Sequence, residues 1–203
     1  MLNRSMRLLF ILVIMGTASL AQAQTSPEGA ADFLRKVGDE TIILLKDDAR
    51  AQHEKEAELR QILDKSIDMR TIGRFALGKT WRDLDDTQKS RYLILFRDYL
   101  LYSYSKRLLT YAGETFSVVQ SKPVRRDALV YTLIKQSTGQ PLKTYWRIRH
   151  KGESYFVIDV IVEGISMAVT QRSEFRTVIR QRGIEGFFES LESIIGSMRN
   201  STG

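Results

Sequence analysis

The sequence predicts an α+β fold, a twisted antiparallel sheet of about four strands with helices packed around it. Two changes in hydrophobic periodicity along the 203 residues support this prediction. Apolar residues recur at helical spacing over residues 31 to about 113, alternate as in strands over residues 114 to 163, and return to helical spacing after Gly164. Short turns join the strand-like runs, which is typical of an antiparallel meander.

The first 23 residues have the pattern of a secretory signal peptide. Arg4 and Arg7 precede a short apolar stretch over residues 8 to 20, and Ala-Gln-Ala at residues 21 to 23 supplies a cleavage site. This stretch is shorter than the roughly 20 residues that span a bilayer, so a retained membrane anchor is the less favoured alternative. We therefore expect an exported protein that begins near Gln24.

Residues 24 to 203 are expected to form a single domain, because about 180 residues can bury one sizeable core. The chain contains no cysteine, which excludes a disulfide framework, a thiolate metal site and a cysteine nucleophile. The packing of the core must therefore stabilise the fold without covalent cross-links.

The formal charge of the chain is +7, and removing Arg4 and Arg7 leaves +7 − 2 = +5 for residues 24 to 203. Basic and acidic residues are mixed over most of the length, and the sequence KPVRR at residues 122 to 126 is the local basic cluster. For an exported protein this charge favours anionic lipid headgroups or an acidic protein surface as partners, rather than nucleic acid. A basic surface that is simply solvated is the alternative.

Three helices are predicted before the sheet, and a short apolar turn between Gly73 and Gly78 precedes the third. Asp85 and Gln88 have the spacing of a capping box, which marks the start of this third helix. Most positions over residues 92 to 104 are apolar or aromatic. The third helix is therefore expected either to be buried in the core or to line a cavity.

The strand-like runs cover residues 115 to 122, 128 to 135, 144 to 149 and 154 to 163, with a turn through Pro123 after the first. Strict alternation along the last run places Val160 on one face and Val157 on the other. Both faces of the sheet are then substantially apolar. One face can pack on helices while the other encloses a cavity.

The closing helix has the clearest amphipathic pattern in the chain. Apolar residues recur at i, i+3, i+4 and i+7 spacing over residues 184 to 198, which predicts that the helix docks on the sheet or on the long third helix. A helix lying on a membrane surface is the alternative. Glu185, Glu189 and Glu192 on its polar face disfavour contact with anionic lipid.

Candidate catalytic and metal-binding patterns are incomplete. His53 and Glu54 lack the second histidine of a zinc-binding helix. Ser166 follows Gly164 as in a nucleophile elbow, but Ala168 stands where that motif needs its second glycine. We therefore expect no catalytic residue, no metal and no cofactor.

The carboxylates of Asp159 and Glu163 are better explained as parts of a structural motif. Four residues apart on one strand, they lie roughly 13 Å apart, whereas a glycosidase pair lies within about 5 to 10 Å. Gly164 permits a sharp turn, Ser166 can cap the next helix, and Glu163 can accept hydrogen bonds from loop amides. The four residues are interpreted as a clamp between sheet and helix.

Three segments in order carry a resemblance to a known family. They are RFALGKTWRDLDDTQKSRYLILFRDYL at residues 74 to 100, YFVIDVIVEGISM at residues 155 to 167, and TQRSEFRTVIRQRGIEGFFESL at residues 170 to 191. The combination of D-x-x-x-E-G-x-S-M, Q-x-x-E-F and R-x-x-G-I is the specific part. The chain resembles the MlaC, or toluene-tolerance Ttg2, family of periplasmic phospholipid-binding proteins.

The resemblance implies a non-enzymatic carrier in the periplasm whose sheet and helices enclose an apolar pocket for phospholipid acyl chains. It implies transfer between an inner-membrane ABC transporter with an MCE subunit and an outer-membrane lipoprotein complex, which maintains outer-membrane lipid asymmetry. A carrier of hopanoid or other polycyclic lipid is an alternative. So are a lipid-modifying enzyme using Asp159, Glu163 or His150, and a binding module without a cavity.

Burial of each methylene contributes roughly 0.8 kcal/mol, so a lipid carrier is expected to have an apolar cavity near or above about 1,000 Å³. Headgroup phosphate is expected at Arg74, Lys79, Arg147 or Arg149. The side chains predicted from the strand and helix faces to contact lipid are Phe75, Leu77, Phe96, Tyr99, Leu100, Tyr104, Val130, Thr132, Trp146, Ile148, Val160, Val162 and Met167.

Overall fold

The computed structural model describes residues 24–110, 115–135 and 140–200, and the predicted signal peptide lies outside these ranges. The described chain is an α+β fold in which helices pack around a five-stranded antiparallel sheet of order β1-β2-β3-β4-β5. The predicted antiparallel meander is confirmed, and a two-residue fifth strand extends it. The elements are α1 (Pro27–Leu45), α2 (Gln52–Ser66), α3 (Met69–Leu77), α4 (Thr80–Asp83), α5 (Asp86–Leu108), β1 (Thr115–Val124), β2 (Asp127–Lys135), β3 (Leu142–Lys151), β4 (Ser154–Val162), β5 (Ile165–Ser166) and α6 (Met167–Asn200).

Side chains of the N-cap residues accept free N–H groups at the start of α1, α3 and α5. At the start of α5 the N–H of Gln88 donates to Asp85 at 2.8 Å and the N–H of Asp85 donates to the Gln88 side chain at 3.2 Å. This is the predicted capping box. None of the helices in the described ranges is long and apolar enough to cross a bilayer.

The stretch expected to be a turn between Gly73 and Gly78 is instead the body of α3, so that prediction was wrong. Asp68 caps this helix by accepting the N–H of Thr71 at 3.0 Å. Gly78, at φ 60°, ends it. A helix of nine residues is too short to show a clear period in the sequence, so its caps decide its bounds.

Pro123 lies inside β1 opposite Ala128, and not in the turn where it was expected. The turn between β1 and β2 falls at Arg125 and Arg126, and Arg125 adopts φ 57°. Because β1 is the edge strand of the sheet, a proline there removes no ladder hydrogen bond that the fold requires.

A β-bulge in β4 changes which side chains share a face. Val157 pairs with Ile148 and Asp159 pairs with Arg147, which leaves Ile158 as the additional residue. Beyond the bulge Val160 pairs with Trp146. Val157 and Val160 therefore face the same side, and the strict alternation expected from the sequence was wrong at this point.

Three separate apolar clusters hold the described chain together. The helical cluster joins α3, α5 and α6 around Tyr92, Phe96 and Phe187. The sheet cluster packs Leu34 of α1 on β2, β3 and β4, and the third cluster lies between α1 and α2 around Leu59. As predicted, the closing helix docks on the long helix, since the second half of α6 belongs to the helical cluster.

The hydroxyl group of Tyr92 is the polar feature of the helical cluster. It donates to the carbonyl oxygen of Gly73 at 2.9 Å and so links α5 to α3. Burial raises the pKa of Tyr92. The raised pKa favours the neutral phenol, which is the form that donates this hydrogen bond.

The chain reverses between the sheet and α6 at Glu163 and Gly164, which have φ values of 47° and 85°. The carboxylate of Glu163 accepts the N–H of Lys143 at 2.8 Å, which ties the turn to the start of β3. Glycine adopts this left-handed conformation without steric cost.

The start of α6 is fastened to β4 by Asp159. One carboxylate oxygen of Asp159 accepts the hydroxyl of Ser166 at 2.6 Å, and the other accepts the N–H of Ala168 at 3.1 Å. The Ser166 oxygen in turn accepts the N–H of Val169 at 3.1 Å and caps the helix. The four motif residues thus form hydrogen bonds and turns at the junction of sheet and helix.

A buried carboxylate links β2 to β3. Asp127 is fully buried and accepts hydrogen bonds from Arg149 at 2.7 Å and from Arg147 at 2.8 Å. Burial by itself would raise the pKa of Asp127, but the hydrogen bonds and charges of the two arginines outweigh it and lower that pKa below the ordinary value of 3.8.

Replacing Asp127 with Asn is expected to lower the free energy of unfolding at neutral pH by about 2 to 3 kcal/mol, because it leaves two arginines without their carboxylate. Because the pKa of Asp127 is lowered in the folded state, the carboxylate contributes fully to the free energy of unfolding above about pH 4. This contribution is lost as pH falls through the folded-state pKa. Urea unfolding of the wild type and the variant at several pH values measures the difference. The exposed Asp32→Asn variant is the control, and an equal loss in both variants would contradict the expectation.

Replacing Gly164 with Ala is expected to lower the free energy of unfolding by about 1 to 2 kcal/mol, because a Cβ disfavours φ 85°. No atom lies within 4 Å of the added Cβ, so the effect is purely conformational. Gly196→Ala, also in open space but within α6, should instead stabilise by about 0.5 to 1 kcal/mol. Thermal or urea unfolding of both variants tests the difference in sign.

Candidate ligand-binding cavity

An apolar cavity of about 430 Å³ lies where the three clusters meet. Its walls come from α1, α2, α5, the inner face of the sheet and the first turns of α6. Phe96 of the helical cluster, Leu34 of the sheet cluster and Leu59 of the third cluster all line it. No single core fills this space, so it remains open.

The volume is less than half of the roughly 1,000 Å³ expected from the sequence, so that expectation was wrong. It still lies within the usual range of ligand pockets, about 300 to 1,000 Å³. The cavity is smaller than expected because α1 lies close to the sheet. At Gly38 an added Cβ would lie 2.5 Å from the Phe116 ring, so this helix sits directly on β1.

Seven of the side chains predicted to contact lipid line the cavity. They come from α5, from β3 and β4, and from the start of α6. They are Phe96, Leu100, Tyr104, Trp146, Val160, Val162 and Met167.

Six predicted side chains lie outside the cavity lining. Leu77 and Tyr99 pack in the helical cluster, and Val130 and Ile148 pack in the sheet cluster beneath α1. Phe75 is exposed on α3. The sixth, Thr132, is buried in the sheet. Four of the six therefore pack against other elements of the fold instead of lining the cavity.

The hydroxyl groups of the sheet wall are satisfied within the wall. Thr132 and Thr144 share a hydrogen bond, and the indole N–H of Trp146 donates to them at 2.9 and 3.2 Å. Since these polar groups bond to one another, the wall presents mainly apolar atoms to the cavity. A ligand in contact with this wall needs hydrocarbon surface.

Sequence reasoning missed the wall formed by α1 and α2. Val37 and Thr41 of α1, with Ile62 and Leu63 of α2, line the cavity beside residues of the clusters. The apolar stripe of α1 is visible in the sequence, but such a stripe is typical of any helix that packs on a core. The spacing of apolar residues along a helix does not indicate whether they pack against other side chains or line a cavity.

Polar side chains collect at one part of the cavity rim. Tyr104, Arg107, Asp159 and Gln171 line it there, and Arg107 is exposed to solvent. Burial raises the pKa of Tyr104, the positive charge of Arg107 opposes that shift, and the charge of Asp159 adds to it. At the rim, therefore, one cation faces a neutral phenol, an amide and a carboxylate.

The four predicted headgroup residues do not line the cavity. Arg147 and Arg149 are held by Asp127. Arg74 lies over the Trp81 ring at 5.5 Å, and Lys79 precedes α4 on the outer surface. Among the described lining residues the cation is Arg107, which lies at the end of α5.

The residues weighed as catalytic lie apart or make structural contacts. His150 lies three strand positions from Arg147, the partner of Asp159, or about 10 Å along the sheet. Its ring packs 4.7 Å from that of Tyr155. Ser166 is engaged as donor and acceptor in the clamp. In residues 24–110, 115–135 and 140–200, no group of three or more potential ligands could hold a metal ion.

Comparison with a solved structure places this architecture among known folds. The chain is similar to the phospholipid-binding protein from Ralstonia solanacearum, whose structure was determined in complex with a phospholipid. The TM-score is 0.70, the sequences are 19% identical, and the match covers 84% of this chain and 98% of that chain. At this identity the likeness shows a common fold.

A family model described as MlaC protein matches residues 35–193, which include every residue that lines the cavity except Leu34. This match spans more than three quarters of the chain and agrees with the fold. The chain therefore belongs to the MlaC family.

Proposed function

We propose that this protein is a periplasmic carrier that binds phospholipid by burying an acyl chain in the cavity. The observation that carries the proposal is the apolar space of about 430 Å³ left between three packed clusters. Membership of the MlaC family and the phospholipid in the Ralstonia solanacearum structure support the choice of ligand.

The volume of the cavity suits one long alkyl chain. A methylene group occupies roughly the space of a water molecule in the liquid, about 30 Å³, so the cavity holds on the order of 14 such groups. At about 0.8 kcal/mol for each buried methylene, burial of these groups offsets on the order of 11 kcal/mol of the free-energy cost of moving a lipid out of a membrane. A second acyl chain would need the walls to move apart.

The rim positions Arg107 for the headgroup. An acyl chain inside the cavity leaves the phosphate near the part of the rim where its lining reaches solvent, and Arg107 is the cation there. A guanidinium group can donate two parallel hydrogen bonds to a phosphate. Since Arg107 is exposed, this contact is weak and suits a carrier that must release its cargo.

The resemblance to the MlaC family is the basis for proposing a wider transport route. We propose that the lipid moves between an inner-membrane ABC transporter with an MCE subunit and an outer-membrane lipoprotein complex, and that this exchange maintains outer-membrane lipid asymmetry. Cleavage of residues 1 to 23 as a signal peptide would deliver the single domain formed by the remaining residues to the periplasm.

A Val160→Trp variant is expected to lose most of its bound phospholipid, because the larger ring occupies the cavity from the sheet wall. Native mass spectrometry of protein purified without detergent, with identification of the extracted lipid, measures the loss. Val119→Trp, on an exposed position of β1, is the matched control and should retain the lipid. Wild-type protein without lipid, or with only a polycyclic lipid lacking phosphate, would overturn the proposal.

An Arg107→Ala variant is expected to bind phosphatidylglycerol about 2- to 5-fold more weakly, since an exposed charge contact contributes up to about 1 kcal/mol. Its affinity for diacylglycerol, which has no phosphate, should be unchanged. Displacement of a fluorescent lipid measures both affinities. Arg126→Ala, in the turn between β1 and β2, is the control, and an equal effect on both lipids would exclude Arg107 as the phosphate contact.

A further inference from the structure

The exposed sides of α3 and of the first half of α6 form one positively charged surface, called here the basic face. Arg172 joins its two parts, because its guanidinium group lies 5.1 Å from the centre of the Phe75 ring on α3. Successive arginines on α6 are four residues apart and therefore lie on one side of the helix. The exposed members of the basic face are Arg70, Arg74, Lys79, Arg172, Arg176 and Arg180.

The cations of the basic face have no anionic partners among the described residues. No carboxylate of these ranges lies within 4 Å of their charged nitrogens. Glu174, the acidic residue in this half of α6, accepts a hydrogen bond from the amide of Gln171 at 3.2 Å. Elsewhere on the helices arginines are paired, as Arg91 is with Glu185 and Glu192. The basic face therefore keeps its charge for an external anion.

Apolar side chains are exposed beside these cations. Phe75 is 41% exposed, Val169 is 56% exposed and Ile165 is 60% exposed. Lysines and arginines with exposed apolar side chains are the composition of a protein surface that adsorbs to anionic bilayers. The headgroups attract the cations while the apolar side chains enter the boundary of the acyl region, so a lipid surface satisfies both features at once.

The basic face also borders the cavity. Met167, Ala168 and Gln171 of α6 line the cavity, while Val169 and Arg172 on the same turns belong to the outer side. A bilayer that contacts the outer side of these turns lies next to the cavity rim. Charge complementarity would thus hold the rim against the surface from which a lipid leaves or into which it enters.

We infer that the basic face is a docking surface for anionic phospholipid bilayers and orients the cavity rim toward the membrane. This inference rests on the proposed function, since docking at the rim serves lipid exchange. It adds a direct contact with the lipid surface to the contacts that a carrier makes with partner proteins.

Flotation of the purified, lipid-loaded protein with vesicles tests the inference. The vesicles contain either phosphatidylcholine alone or phosphatidylcholine with about 30% phosphatidylglycerol, at about 50 mM salt. We expect binding to the anionic vesicles, little binding to the neutral ones, and release at about 0.5 M salt. Arg172→Glu combined with Arg176→Glu should weaken anionic binding at least about tenfold.

The matched control is Lys36→Glu combined with Lys46→Glu, which changes the net charge equally on exposed positions of α1 and just after it. Equal weakening in the two double variants would overturn the inference, because net charge alone would then explain binding. Binding to poly-L-glutamate without binding to vesicles would also overturn it and would indicate an acidic protein partner. If wild-type protein carries lipid but does not bind anionic vesicles, the docking surface is refuted and the proposed function stands. If the purified protein carries no lipid, the proposed function is refuted.

Discussion

The cavity depends on three apolar clusters that pack separately and meet without merging. Phe96, Leu34 and Leu59 each belong to a different cluster, and all three line the same space. An unfilled volume forfeits dispersion contacts. At about 24 cal/mol per Å³, the 430 Å³ here would cost on the order of 10 kcal/mol if entirely empty. A bound alkyl chain restores these contacts, so the space that weakens the empty protein is also the source of its affinity for lipid.

Polar interactions keep the walls in place around this space. Asp127 fastens β2 to β3 through two arginines, and Asp159 fastens β4 to the start of α6 through Ser166. The bulge at Ile158 turns Val157 and Val160 toward the same side of the sheet. These interactions lie in the sheet and at its junction with α6, so the walls resist collapse while the cavity itself remains apolar.

The charges of the protein are arranged around the same opening. Arg107 lines the cavity and is exposed, and Arg172 of the basic face directly follows Gln171, which lines the cavity on α6. In contrast, the second half of α6, beyond the change of direction at Gly183, carries glutamates that pair with Arg91. Part of the excess positive charge of the protein therefore lies beside the cavity, at the proposed phosphate contact and the proposed docking surface.

The sequence by itself determined the α+β class, the antiparallel meander, the capping box at Asp85 and the turn at Gly164, because each depends on neighbouring residues or on a regular period. The apolar faces of α5 and of the sheet were also visible. Only the tertiary structure decided that α1 and α2 complete the cavity, that Arg107 rather than Arg147 stands at its rim, and that α3 and α6 share one basic face. These features join residues far apart in the chain, and local patterns contain no information on which faces meet or on the space left between them.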